Sequence, residues 1–293
     1  MRYETAEAFR QALEATLVRE ARDSGRPLAY LRKRVAFERF LVRIFVPASA
    51  DAPFVLKGAF ALGLRVRERR TTQDLDLALS TAAAQGDTDP VEVVREAAER
   101  DVGDFFQFRI GGTSEAHNQG LATLRLSVDA RLAGRTFERF KLDLAMEVLD
   151  PASTESQVVP SYLEFAGMRA FTVRAIHPAG HYADKLHAYS RPRRLRSRVK
   201  DLVDLALLTL ELEGDPKAPE RIRKEVERVY GQYSTHRPWK DLPKPPSDWR
   251  AAFVRQAKEV GLEPQDMKHW FDRVDAYYRK LRPDFQASPL TKE

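Results

Sequence analysis

Apolar residues recur at helical spacing through residues 3–24, at Phe9, Leu13, Leu17 and Ala21, and Gly25-Arg26-Pro27 closes that segment. A second predicted helix runs over 28–45 through Leu31, Val35, Phe40, Leu41 and Ile44. Then the period changes. Phe54-Val55-Leu56 reads as a short buried strand, Gly58 opens a helical stretch over 60–67, and 75–79 reads as a strand. Asp89-Pro90 has the form of a helix start, with Val91, Val94 and Ala97 following. From 104 to 175 the pattern is mostly β: Leu124, Leu126 and Val128 alternate along one predicted strand, and Phe140, Leu142, Leu144 and Met146 along another. After Pro178 the chain reads as helical, over 180–190, 197–212, 217–231, 248–260 and 265–281. The pattern predicts a helical N-terminal cap, a small mixed α/β core and an all-helical C-terminal half. Placed as domains, these are 1–178 and 179–293.

Composition narrows the chemistry. The 293 residues are 43% hydrophobic and 31% charged, as in a soluble globular chain. No cysteine is present, which excludes disulfides, iron–sulfur clusters, cysteine-bound zinc and a thiol nucleophile. No window approaches eighteen consecutive apolar residues and no signal-peptide core appears, so the expected setting is cytoplasmic, with no membrane partner. Residues 1–150 balance at 23 basic against 23 acidic, whereas 151–293 hold 26 against 20, the whole excess of +6. Six cations fall within 191–200: Arg191, Arg193, Arg194, Arg196, Arg198 and Lys200. Such a run is either a solvated face or a seat for a polyanion, and beside a triphosphate site it favours RNA.

The candidate chemistry starts at Asp74-Leu75-Asp76. Strand alternation places both carboxylates on one face, about 7 Å apart, with Leu75, Leu77 and Leu79 toward the core. Two such charges repel unless a cation sits between them, and divalent ions in pairs about 4 Å apart serve phosphoryl and nucleotidyl transfer. Oxygen-only ligands favour Mg2+ or Mn2+ over zinc. Gly58 follows a strand and opens a helix, a geometry that holds phosphate on backbone N–H groups, and Lys57 stands beside it. Asp143, on the polar side of an alternating strand, supplies a third carboxylate if that strand neighbours 75–79, as a third metal ligand or as the base that takes the attacking hydroxyl's proton. The histidines His181 and His187 read as core or surface residues, and Trp239, Trp249, Trp270, Tyr277 and Tyr278 as helix packing.

Lys57-Gly58-Ala59 with Ala61-Leu62, Arg70-x-Thr72-x-Asp74-x-Asp76, Lys185-Leu186-His187-Ala188 and Lys200-Asp201-x-x-Asp204 occur in order over about 50–210. This set resembles the AbiEii/MenT-type nucleotidyltransferase toxins of type IV toxin–antitoxin systems, within the polymerase-β-like superfamily. The resemblance implies an α+β polymerase-β-like nucleotidyltransferase core, a mixed sheet with flanking helices, bearing a helical cap and an all-helical C-terminal lobe. It implies metal ligands at Asp74 and Asp76, phosphate binding at Gly58, and motif lysines at Lys57 and Lys185. The later acid is Asp201 or Asp204. Alanine stands at position 59 where the family usually has glycine or serine, which keeps a backbone N–H and loses side-chain contacts. The alternative for Lys185 and Asp204 is a buried ion pair without chemistry.

The implied activity is Mg2+-dependent transfer of NMP from an NTP to the 3′ end of tRNA, blocking translation, with a cognate antitoxin on a separate chain. Two alternatives are NMP transfer to a protein side chain and a catalytically inactive nucleotide- or RNA-binding module.

Overall fold

The computed structural model describes residues 1–46, 52–66, 72–84, 89–118, 121–191, 198–233 and 236–281. The chain divides into two compact units, Met1–Ile176 and His177–Glu293.

The first unit is built on one seven-stranded mixed sheet. Its strands are β1 (Phe54–Lys57), β2 (Asp74–Ser80), β3 (Phe106–Asn118), β4 (Leu121–Leu132), β5 (Arg135–Leu149), β6 (Thr154–Val159) and β7 (Phe171–Ile176), in the order β3-β4-β5-β2-β1-β7-β6. β2 runs parallel to β5 and antiparallel to β1, and β1 runs parallel to β7. Helices α1 (Ala6–Ser24) and α2 (Leu28–Phe45) precede the sheet; α3 (Gly58–Arg65), α4 (Thr81–Ala84) and α5 (Pro90–Glu99) connect its early strands. Local chemistry sets the helix ends. The Thr5 side chain accepts from Ala8 N–H at the start of α1, and Gly25 ends it with φ 71°. Asp89 accepts from Val91 N–H ahead of Pro90 in α5.

Alternation along the strands decides which face is covered. Leu75 and Leu77 of β2, Leu142 and Leu144 of β5 and Leu126 of β4 are fully buried in one core with Phe9 and Leu13 of α1 and Phe37 and Phe40 of α2. The N-terminal helices are therefore the second layer of the core itself, not a separate cap over it. Burial of this apolar surface is the main favourable contribution to the unit's stability. α2 is buried on nearly every side from Arg34 to Phe45, and its charges have internal partners. Asp104 accepts from Arg39 Nε at 2.7 Å and from both Arg43 Nη atoms at 2.7 and 2.8 Å. Glu38 accepts from Ser161 and from Tyr162 N–H, while burial pushes its carboxyl above the ordinary range.

The second unit is helical: α6 (Pro178–Ser190), α7 (Val199–Leu212), α8 (Ala218–Tyr233), α9 (Arg250–Glu259) and α10 (Met267–Leu281). Tyr182, Leu202, Leu205, Trp270 and Tyr278 form its interior. Trp270, Tyr277 and Tyr278 pack as expected, whereas Trp239 is 44% exposed. No helix among the described residues is long and apolar enough to cross a membrane.

Candidate active site

The opposite face of the sheet carries the polar half of the same alternation. In register across four neighbouring strands lie Lys57 of β1, Asp76 of β2, Asp143 of β5 and Arg125 of β4. The row reads plus, minus, minus, plus. Asp74 lies two residues from Asp76 on that face, in register with Lys141. Asp74 and Asp76 are half-buried, and Asp143 is 5% exposed.

Both Asp143 oxygens are engaged. Arg125 Nε donates to Oδ1 at 2.7 Å and Nη2 to Oδ2 at 2.6 Å, a bidentate pair. The guanidinium is held above its ordinary range mainly by that hydrogen bond, with the charges of Asp143, Asp74 and Asp76 adding to it. Lys57, 8% exposed, pairs through Nζ with Glu147 Oε2, and Glu147 is fully buried. Neither Arg125 nor Glu147 belongs to the sequence motifs. The signal for both was parity. Arg125 lies between Leu124 and Leu126, and Glu147 shares odd parity with Lys141 and Asp143.

Gly58 begins α3 with φ 67°, in the left-handed region. A Cβ there would lie 1.9 Å from Asp76 Oδ2, so the carboxylate occupies the space a side chain would fill. Ala59 needs no such freedom, because it is already inside α3. The substitution at that position therefore leaves the backbone of the turn intact.

The donor set fits a hard divalent cation: Asp74 and Asp76 offer oxygens only, on one face of β2. Among the described residues, no group of three or more His, Cys, Asp or Glu side chains is already gathered as a metal cage. Asp143 is turned to Arg125 instead.

The other expected site residues lie in the second unit. Lys185 Nζ is 2.8 Å from Asp204 Oδ2 and 3.6 Å from Asp201 Oδ1, and Arg198 Nη1 is 3.5 Å from Asp201 Oδ2. Asp204 is fully buried and Asp201 nearly so. Of the basic run, Arg191 and Arg198 are half-buried and Lys200 is exposed, while Arg193, Arg194 and Arg196 lie outside the described residues. His187 is fully buried and stacks on Tyr233 with ring centroids 4.4 Å apart. Burial lowers its pKa to about 3, so it is a neutral core residue. His181 is buried as well.

A search among curated proteins finds no match to the chain. The family model described as nucleotidyl transferase AbiEii toxin, type IV TA system, matches residues 39–287, from the middle of α2 to beyond the end of α10. That span takes in both units and every motif above, and the chain belongs to the AbiEii nucleotidyl transferase toxin family of type IV toxin–antitoxin systems.

Proposed function

We propose that the protein transfers a nucleoside monophosphate from an NTP to the 3′-terminal hydroxyl of tRNA, releasing pyrophosphate and disabling the RNA for translation. Membership of the family supports the transferase activity and the antitoxin partner. The observation that carries the site assignment is the placing of Asp74, Asp76 and Asp143 on one face of neighbouring strands, with Gly58 backed against Asp76.

In this reading Asp74 and Asp76 hold Mg2+ or Mn2+, which supplies charge neutralisation for the triphosphate and for the attacking oxygen. The remaining work falls to the chain itself. Gly58 brings backbone N–H groups at the start of α3 toward phosphate, where any larger residue would displace Asp76. Asp143, fixed by Arg125, acts as the ordered third carboxylate; with both oxygens accepting from a guanidinium it is poorly disposed to be the base. The acceptor oxygen bonds to the α-phosphorus as the bond to the bridging oxygen of pyrophosphate breaks, and the hydroxyl proton leaves to solvent. Lys57 lies at the phosphate end of the row, tethered by Glu147. Lys185, held between Asp204 and Asp201, is the second unit's candidate phosphate contact.

The deciding experiment incubates the protein with labelled NTPs, Mg2+, total bacterial RNA and, separately, cell lysate. Label on tRNA is the expected result. Label on protein alone would replace the acceptor, and no label with either would leave a binding module.

A further inference from the structure

The register that aligns the carboxylates also orders what lies beyond them. β2 begins at Asp74, opposite Lys141, but β4 and β5 continue past that point through Asp129 and Arg139, and β3 brings Arg109 opposite Asp129. The sheet therefore has a notch beside Asp74, with a volume of about 480 Å³. Its charged lining is Lys33, Arg109, Arg139 and Lys141 against Asp74 and Asp129.

These cations are poorly neutralised. Lys33 Nζ donates to the neutral Gln73 Oε1 at 2.5 Å, and Lys141 Nζ to the neutral Ser127 Oγ at 2.5 Å. Arg139 lies 3.6 Å from Asp129, a carboxylate that Arg131 also approaches at 3.4 Å. Arg109 is exposed, and its side chain makes no hydrogen bond or ion pair with any described residue. Arg139, Lys141 and Asp143 succeed one another on one side of β5 at steps of about 6.6 Å. That step is near the separation of successive phosphates in an extended nucleic-acid strand. A mononucleotide held at the carboxylates by its own phosphates would leave the far end of the notch unused; a chain with a phosphate at each step would not.

We propose that this notch seats the RNA strand whose 3′ end receives the nucleotide, with Arg109, Arg139, Lys141 and Lys33 contacting successive backbone phosphates and Asp74 marking the reacting end. The inference rests on the nucleotidyl-transfer reading and assigns its acceptor to the first unit, in place of the basic run at 191–200.

The test is equilibrium binding of a short fluorescent single-stranded RNA with a free 3′ hydroxyl, by anisotropy over a range of salt, without NTP or metal. Each lost phosphate contact reduces the log–log salt slope by about 0.7. Arg109→Ser/Arg139→Ser is expected to shrink it by about 1.4, and adding Lys141→Ser by about 2. Arg198→Ser/Lys200→Ser is expected to leave it unchanged. All these side chains are exposed or half-buried, and a thermal melt close to wild type confirms that each variant is folded; Gln in place of Ser serves if one is not. An unchanged slope in a folded notch variant overturns the proposal, as does a loss confined to the 198/200 variant. Because binding is read without turnover, absence of label transfer would count against the enzymatic reading alone. Transfer to RNA together with an unchanged slope would count against the notch alone.

Discussion

The carboxylate of Asp76 rests where a side chain on Gly58 would have to be: a Cβ at position 58 would fall 1.9 Å from Oδ2. With φ at 67° the position also disfavours any L-residue. Gly58→Ala is expected to store about 1–3 kcal/mol of backbone strain and to push the Asp76 carboxylate aside. A displacement of that size at a reacting centre lowers transfer about a hundredfold. Label transfer and a urea titration, run side by side, measure both; a fully active, fully stable variant would show that Asp76 need not sit there.

Asp76→Ala is expected to remove transfer by about a thousandfold, equivalent to about 4 kcal/mol of transition-state stabilisation. The chain should stay folded, with stability unchanged or slightly raised, because the deletion relieves repulsion between neighbouring carboxylates. Near-normal turnover in a folded Asp76→Ala protein would dispose of the metal-ligand assignment.

Lys57 pairs with Glu147, and a phosphate contact would be a second, separable job. Lys57→Met strands Glu147, which is fully buried, and should cost about 3–5 kcal/mol. Lys57→Met/Glu147→Leu removes both charges and should regain most of that loss. If Lys57 also meets phosphate, the double variant melts near wild type yet transfers at least about tenfold more slowly. Full activity in it would make the lysine purely structural. Lys185→Ala should behave in the same two-sided way, since Asp204 beneath it is fully buried.

His187 should make the second unit sensitive to acid. Its pKa is depressed to about 3 in the fold against about 6.5 when unfolded. As pH falls below about 6.5 the unfolded chain takes up a proton that the folded chain refuses, so stability declines from there toward pH 3. After allowance for screening, the slope is about 1 kcal/mol per pH unit. His187→Phe keeps a ring for Tyr233 to stack on and should flatten the decline between pH 7 and 5, read from urea midpoints. An equally steep decline in that variant would point to other groups.

The sequence was informative wherever one element's own pattern carried the information. The limits of α2 follow from its apolar period, and the shared face of Asp74 and Asp76 follows from strand alternation. What it hid depends on register between distant segments. Arg125 meets Asp143 across 18 residues and Lys57 meets Glu147 across 90, and no local period encodes either pairing. Nothing local marks Glu38, Arg39 and Arg43 for burial, yet all three are buried because Asp104, Ser161 and Tyr162 come to meet them. β6 and β7 did not stand out as separate strands, since Glu155, Gln157 and Arg174 interrupt their apolar positions.

The row Lys57, Asp76, Asp143, Arg125 sets a cation at each end of its two carboxylates, which offsets part of their repulsion before any ion arrives. Folding then does not require loading, unlike small zinc domains, in which the ion supplies the folding energy. Treatment with a chelator should abolish transfer while shifting the melting temperature little, a pairing of results that calorimetry and label transfer can read on one sample. Such a chain could wait in the cell as a finished scaffold, its chemistry set by ionic supply and by its antitoxin rather than by whether it has folded.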